Sequence, residues 1–411
     1  MATVVRARWV GDVTSGLPRR DRQGCEYEAY VPDPLSGRSF LLDGAVAADV
    51  ADAERAIQRL DTHGAALADT EALAQLLLRA EAVASSHIEG LEIGGRRLLR
   101  AEAAKEMGTP PGDVTAEEVL GNIEAMTWAV TFLSAQDAIT VDGLVEVHRR
   151  LLTNTRLHDT AGKIRERQNW IGGSSDNPCS ADFIPPPPDR VGPLLEDLCR
   201  FCNEDELPAV AQAAIAHAQF ETIHPFEDGN GRTGRALIHV ILRRRGLTPR
   251  VLTPVSLVLA TWARDYVDAL TGTRNLGEPD SQPALAGLNR WVGLFAAAAG
   301  RAVEDGLRFE GSIREIQDGW ADALGKVRRG SAAQLLISAL PGAPIVTVKT
   351  AAELIGRSYE RTNEAIARLQ GAGVLHPVTV GRRNRAFEAR DVIDAFADLE
   401  RQLASPAGGR P

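Results

Sequence analysis

Residues 224–235 read His-Pro-Phe-Glu-Asp-Gly-Asn-Gly-Arg-Thr-Gly-Arg, which packs a titratable base, a metal-ligating carboxylate, three glycines, an amide and two arginines into twelve positions. His224 carries the side chain that titrates nearest neutral pH, so it is the natural general base. Gly229 and Gly231 allow backbone angles that side chains forbid, and they let a ligand approach the main chain. Successive N–H groups at a helix start form an anion site, helped by the helix dipole. Arg232 and Arg235 are three apart and share one face of a helix. Two guanidinium forks there suit a polyphosphate better than a single carboxylate. Asp228 is a hard oxygen ligand beside that anion site, where Mg²⁺ would bridge protein and phosphate. Asn230 serves either to bond a phosphate oxygen or to hold the loop in shape. Pro225 pushes His224 towards an extended backbone, and Phe226 is expected to anchor the loop in the core. Gly-Lys-Ser/Thr is missing here, so this is no Walker loop.

Helical patterns flank the stretch. Pro208 to Thr222 reads as a helix, with Pro208 suited to its first turn. Ala236 to Arg245 reads as another, with Gly246 as its stop. The twelve residues therefore form a loop running into a helix N-terminus. They resemble the signature of the Fic domain family, His-x-Phe-x-(Asp/Glu)-Gly-Asn-Gly-Arg-x-x-Arg, with every specified position matched. The resemblance implies an all-α fold with a small β-hairpin flap, and an enzyme that transfers AMP from ATP to a hydroxyl of a target protein. His224 would deprotonate the target Ser, Thr or Tyr, and that oxygen would attack the α-phosphate. Asp228 would hold Mg²⁺ on the α- and β-phosphates. Gly229, Asn230, Gly231 and Arg232 would cradle those phosphates, with Thr233 and Gly234 in the same nucleotide-binding stretch, and Arg235 would meet the γ-phosphate.

Upstream, Ala51–Leu60 and Glu71–Ile88 turn helical. The second ends in Ser85-Ser86-His87-Ile88-Glu89-Gly90. Ser85 and Glu89 are four apart on one face, and Gly90 is a good terminator. The segment resembles the Fic inhibitory motif, (Ser/Thr)-x-x-x-Glu-(Gly/Asn). That resemblance implies a Glu89–Arg235 pair occupying the fork meant for the γ-phosphate. In some relatives the equivalent Glu also positions water to remove AMP.

Thr115–Phe132 and Val141–Leu152 read as core helices. Residues 164–188 are similar to the Fic flap, which would hold the target segment beside His224 by strand addition, and Val191–Phe201 follows as a helix. Thr261–Leu270 reads as one helix; in Fic relatives a Tyr on the corresponding helix lies beside the adenine, so the resemblance implies Tyr266 as the nucleobase contact, with a core tyrosine as the other reading. Pro283–Gly300 and Phe309–Arg328 read as two more. Residues 331–403 look like a winged helix: helices Val348–Ile355 and Tyr359–Leu369, strands Leu375–Val380 and Arg385–Ala389, and a closing helix Asp391–Leu403. Arg357, Arg361, Arg368, Arg382, Arg383 and Arg385 would meet DNA phosphates there. Dimerisation or target docking is the other use of such a unit. The expected division is thus an arm and inhibitory region at 1–105, a Fic core at 106–310 and the winged helix.

Residues 1–48 read as an irregular arm docked through Tyr27, Tyr30 and Phe40, and the end from Ala404 to Pro411 as disordered. A net charge of −9 over 411 residues excludes a global basic field for nucleic acid. No run is long enough to span a membrane, and the N-terminus lacks a signal-peptide apolar region, so a cytoplasmic protein is expected. The four cysteines do not suggest a disulfide framework, and Cys199 and Cys202 read as buried helix residues. A nucleotide-sensing DNA-binding regulator is the competing function, as is transfer of another nucleotide or of phosphocholine. Intact His224 and Asp228 favour transfer, because a sensor needs no base. The intact Gly-Asn-Gly and both arginines argue against the related Doc-type kinases. Self-modification and a homodimer stay open as further partners.

Overall fold

A helix that is apolar nearly all round must lie inside a protein, and one such helix, paired with a second that buries its polar residues too, forms the centre of this one. The computed structural model describes residues 1–11, 16–64, 70–110, 112–380 and 384–403. Helix α7 (Ala209–Ile223) buries every residue except Glu221, and α8 (Asn230–Arg244) is buried from Asn230 to Leu242. The alanines of α7 let neighbours approach closely. On this pair pack α1 (Gly44–Gly64), α2 (Thr70–Ile88), α4 (Val114–Trp128), α5 (Val141–Leu152) and α6 (Pro188–Cys202), with α3 (Gly95–Glu106) outside them against α4. Downstream come α9 (Val255–Thr261), α10 (Ala263–Gly272) and α11 (Gln282–Leu324). None of the described helices is long and apolar enough to cross a membrane.

Helix α11 runs unbroken for 43 residues where the sequence pattern predicts two helices. Residues 301–308, which read as a gap, continue the helix and carry Arg301 and Arg308, both paired with Asp305 on the same helix. Conversely, the predicted helix 261–270 is split: Trp262 leaves helical geometry and separates α9 from α10. Near its start α11 seats the fully buried Trp291, whose indole donates to the Ala214 carbonyl at 2.7 Å.

The N-terminal arm is regular rather than irregular. Strands β1 (Thr3–Trp9) and β2 (Cys25–Val31) form an antiparallel ribbon with Thr3 opposite Val31 and Trp9 opposite Cys25. The flap departs from expectation in the other direction. Residues 164–188 hold a single bridge, Ile171 with Phe183, and no strand ladder. Gly172 and Gly173 both take positive φ, and Pro185 to Pro188 supply no N–H donors, so pairing ends after one rung. The flap instead leans on the ribbon. Tyr30 N–H donates to the Ile184 carbonyl at 2.9 Å, Trp9 meets Trp170 edge-on, and Cys25 is disulfide-bonded to Cys179. That bond corrects the expectation of unpaired cysteines. Cys199 and Cys202 are free and buried in α6, as their helical setting predicts.

The last unit adds elements that the pattern does not reveal. It contains α12 (Ala332–Ala339), β3 (Ile345–Val346), α13 (Val348–Ile355), α14 (Tyr359–Gly371), β4 (His376–Val380), β5 (Asn384–Glu388) and α15 (Arg390–Leu403). Its sheet has the order β3-β5-β4. Thr347 and Thr350 cap α13 reciprocally. Arg357 and Arg368 donate to main-chain carbonyls, of Gly330 and of Leu324 and Lys326 respectively, and Arg385 lies over Phe387. The predicted wing arginines 382 and 383, and the tail from 404, lie outside the described residues. Helix α15 returns to the N-terminal half, where Glu400 accepts from the Gly95 N–H at 2.9 Å and Arg100 pairs with Glu388 at 3.0 Å.

The cysteine arrangement makes a direct prediction. Titration of the unreduced, denatured chain should find two thiols, rising to four after reduction. Four thiols before reduction would show that Cys25 and Cys179 are not joined.

Candidate active site

The signature loop begins with a reversal of the chain. Helix α7 ends at Ile223, and His224 takes a left-handed conformation (φ 49°, ψ 62°), as no other described non-glycine residue does. Pro225 predicts an extended His224, since it disfavours the right-handed helical region. Left-handed geometry escapes that clash as well and turns the chain more sharply. Three donors hold the turn: the His224 carbonyl accepts from Arg165 Nε at 2.8 Å and Asn169 Nδ2 at 3.2 Å, and Arg165 N–H bonds the Pro225 carbonyl at 2.9 Å. Asn230 closes the loop from within. Its Oδ1 accepts from Phe226 N–H at 2.8 Å and its Nδ2 donates to the Phe226 carbonyl at 2.9 Å. Of the two roles open to that amide, the side chain takes the structural one.

Phe226 is fully buried and stacks on His148 with ring centroids 3.7 Å apart. His148 Nδ1 accepts from Gly162 N–H, so the proton sits on Nε2, which donates to the Asp228 carbonyl at 2.9 Å. Burial keeps His148 neutral, lowering its pKa to about 4. Helix α8 then starts at Asn230, six residues before the predicted Ala236, so that most of the signature is helix. Gly229, at φ 76°, makes that start possible.

The helix start already holds an anion. A Cβ at position 231 would lie 1.9 Å from Glu89 Oε1, so the Glu89 carboxylate rests on the first turn of α8. Arg235 clasps the same carboxylate, with Nη2 at 2.7 Å from Glu89 Oε1. It also donates to the Ser85 carbonyl at 2.7 Å and from Nε to Ser85 Oγ at 2.8 Å. Gly90 ends α2 at φ 79°. The structure thus brings Ser85, Glu89 and Gly90 to Arg235, in the arrangement their spacing predicts. Burial pushes the Glu89 pKa up, but the charge and hydrogen bonds of Arg235 outweigh it, and the group titrates below the usual carboxylate range.

Arg232 points elsewhere than Arg235. It is buried and donates from Nη2 to Asp228 Oδ1 at 2.9 Å, while its Nε and Nη1 have no partner. Asp228 itself stands at the rim, 49% exposed. His224 lines the same cleft. Its Nδ1 is buried on the side away from solvent, close to the Glu221 main chain. Burial first, and the nearby Arg165 second, lower its pKa to about 4, with Glu89 opposing them. The imidazole is therefore neutral and ready to accept a proton. Tyr266 lines the cleft beside Val267 and Leu270, and its hydroxyl meets His217 Nε2 at 2.7 Å. The cleft measures about 830 Å³ and also takes in Gly229, Asn230, Gly231, Ile171, Asp182 and Phe183. Thr233 and Gly234 are not on its walls. Thr233 is wholly buried, and Gly234 packs against Glu221 and Phe220.

These features coincide with the matches to known proteins. A profile of the Fic/DOC family matches residues 138–242, and one of the Fic/DOC family N-terminal matches residues 47–131. The chain thus carries a Fic/DOC region and, ahead of it, a Fic/DOC N-terminal region. The protein adenylyltransferase fic-1 of Caenorhabditis briggsae is 28% identical over 291 residues, covering 68% of this chain and 55% of its own length. That of Caenorhabditis elegans is 30% identical over 228 residues, covering 54% and 43%. The chain thus spans about half the length of the curated relatives it matches. A Fic family protein from Desulfovibrio desulfuricans superposes on 85% of this chain and 97% of its own with a TM-score of 0.53, at 20% identity. That likeness carries the Fic fold.

Several residues of this Fic site escape sequence reasoning. Arg165 and Asn169 sit in a turn-rich stretch with nothing to tie them to a loop some 55 residues on. Arg274 lies 3.6 Å from the centre of the Phe183 ring and lines the cleft. Glu221 has a buried oxygen without a partner, and burial raises its pKa to about 7. Its signal was legible, since it is the one acidic residue in an otherwise apolar or amide-bearing helix.

The proton state of His224 is testable. In a histidine NMR titration its imidazole should remain neutral at pH 5.5, and Glu89→Gly should lower its pKa further by removing a stabilising negative charge. Protonation near pH 6.5 would contradict the buried geometry.

Proposed function

We propose that this chain is a protein adenylyltransferase that moves AMP from ATP to a Ser, Thr or Tyr hydroxyl of a target protein and is held off by Glu89. The observation that carries the reading is the Glu89 carboxylate, seated on Gly231 and paired with Arg235 in the cleft that also holds a neutral His224. A helix N-terminus with a buried arginine favours a bound anion, and here the inhibitory carboxylate stands in for a phosphate. The likeness to the two protein adenylyltransferases supports the same chemistry.

On this reading the γ-phosphate replaces Glu89 at Arg235. The α- and β-phosphates lie over the main chain of Gly229, Asn230 and Gly231, and Arg232, whose Nε and Nη1 have no partner, supplies the nearby positive charge. His224 Nε2 takes the proton of the target hydroxyl. A bond forms between that oxygen and the α-phosphorus, and the bond to the leaving pyrophosphate breaks. Tyr266, Val267 and Leu270 wall the remaining space, where a nucleobase fits. Residues 164–188 present Ile171, Asp182 and Phe183 to the cleft and would hold an extended target segment.

A divalent cation fits the donor set. Among the described residues no three ligating side chains converge, and Asp228 offers a single carboxylate at the rim. Such a site suits Mg²⁺, which keeps several waters and binds through one or two carboxylates plus substrate phosphates. When bound it would neutralise phosphate charge.

The test uses α-labelled ATP with Mg²⁺ and the full chain as wild type, Glu89→Gly, and Glu89→Gly with His224→Ala. Label on protein at least about tenfold above wild type in the single variant, and lost in the double variant, is the expected result. No label from ATP in any of the three, with label from another nucleotide, would overturn the adenylyl reading.

A further inference from the structure

Helices α2 and α8 meet as a ladder. Glu89, Ser85 and Glu81 lie one turn apart on α2, and they face Gly231, Arg235 and His239, one turn apart on α8 in the opposite direction. Sequence reasoning identifies the first two rungs. The third is wholly buried and lies outside the cleft. Glu81 Oε1 accepts from His239 Nε2 at 2.7 Å and from the Ser256 hydroxyl, and Oε2 accepts from Ser256 N–H at 2.8 Å. Glu81, His239 and Ser256 each have no exposed surface. One carboxylate therefore ties α2 to both α8 and α9.

We infer that Glu81 is a positioning residue for the inhibitory carboxylate, pinning the register of α2 so that Glu89 falls on Gly231; this rests on the proposed inhibition. The physical reason is the coarse step of a helix. Sliding α2 by one residue moves its side chains about 1.5 Å and turns them about 100°. Either change breaks the contacts of Glu89 and Ser85 with Arg235. Those contacts sit at the free end of α2, where Gly90 releases the chain, and Glu89 is partly exposed there. A buried carboxylate with three donors from two other helices is costly to leave unpaired, so the third rung resists slippage that the first cannot. Asn122 adds a lesser tie, from Nδ2 to the Ala82 carbonyl at 2.8 Å and to Ser86 Oγ at 3.0 Å. None of these groups is in reach of a nucleotide.

The experiment compares wild type, Glu81→Gln, Ser256→Ala, Glu89→Gly and Glu81→Gln with Glu89→Gly, using the labelled-ATP assay on full-length protein. The amide in Glu81→Gln keeps the volume but sets a donor against the donors of Ser256 and His239. Ser256→Ala is the milder variant, should the first fail to fold. The expected result is a rise in labelling of about fivefold or more over wild type in either variant. In the Glu89→Gly background Glu81→Gln should change labelling by less than about twofold, because there is no brake left to misplace. Hydrogen exchange in residues 85–91 should also quicken in both single variants. If Glu81→Gln and Ser256→Ala stay at the wild-type level while Glu89→Gly labels strongly, the pin is refuted and the inhibition stands. If Glu81→Gln lowers labelling in both backgrounds, its role is merely structural and the inference also fails. If Glu89→Gly itself gives no label, the proposed function is at fault, and unchanged exchange in residues 85–91 then refutes the pin independently.

Discussion

A guanidinium almost wholly removed from water needs a counter-charge, and that need organises this structure. Arg235 is 1% exposed, and its ion pair and closest hydrogen bonds are to Glu89 and Ser85, at the end of α2. Leaving such a charge unpaired costs several kcal/mol, so some anion must always be present. Here Glu89 supplies it. The two carboxylates nearest the arginine differ in kind: Glu89 pairs directly, while Glu221 waits nearby with a buried oxygen and a raised pKa. The same demand explains why α2 is held to α8 at three successive turns rather than one. An arginine that needs an external anion also needs the anion's carrier to be in place, and helix-to-helix register is what places it.

The loop that precedes α8 depends on a second constraint, the conversion of a helix end into a helix start within six residues. His224 pays for this with a left-handed backbone. Arg165, Asn169 and Asn230 then satisfy the carbonyls and N–H groups that neither helix can use. The result is an imidazole and the main chain of Gly229, Asn230 and Gly231 held on the walls of one cleft. Such rigidity is what preorganised phosphate chemistry requires.

Much of this was legible in the residues because it is local. The signature is contiguous, and the Ser85–Glu89–Gly90 spacing encodes a helical face and a terminator on its own. The misses are non-local or depend on what surrounds a residue. The pairing of Thr3 with Val31 and the bond from Cys25 to Cys179 connect positions whose types say nothing about each other. Glu81 looks like an ordinary surface glutamate until His239 and Ser256 close around it. His224 was assigned an extended backbone from the proline alone, whereas the donors from Arg165 and Asn169 decide the matter. Helix α11 was divided because polar residues in its middle resemble a break, and they prove to satisfy one another along the helix surface.

That long helix has a consequence for how the two ends of the chain communicate. Trp291 sits under α7 behind the cleft, and Trp320 of the same helix donates to Asp391 at the start of α15. The 29 residues between them span about 44 Å at the usual helical rise. The last unit is therefore reached from the cleft floor by continuous helix, and it is also tied to α3 through Glu400 and Glu388. Two separate routes, one along α11 and one across α3, join it to the helices that carry Arg235 and its partners.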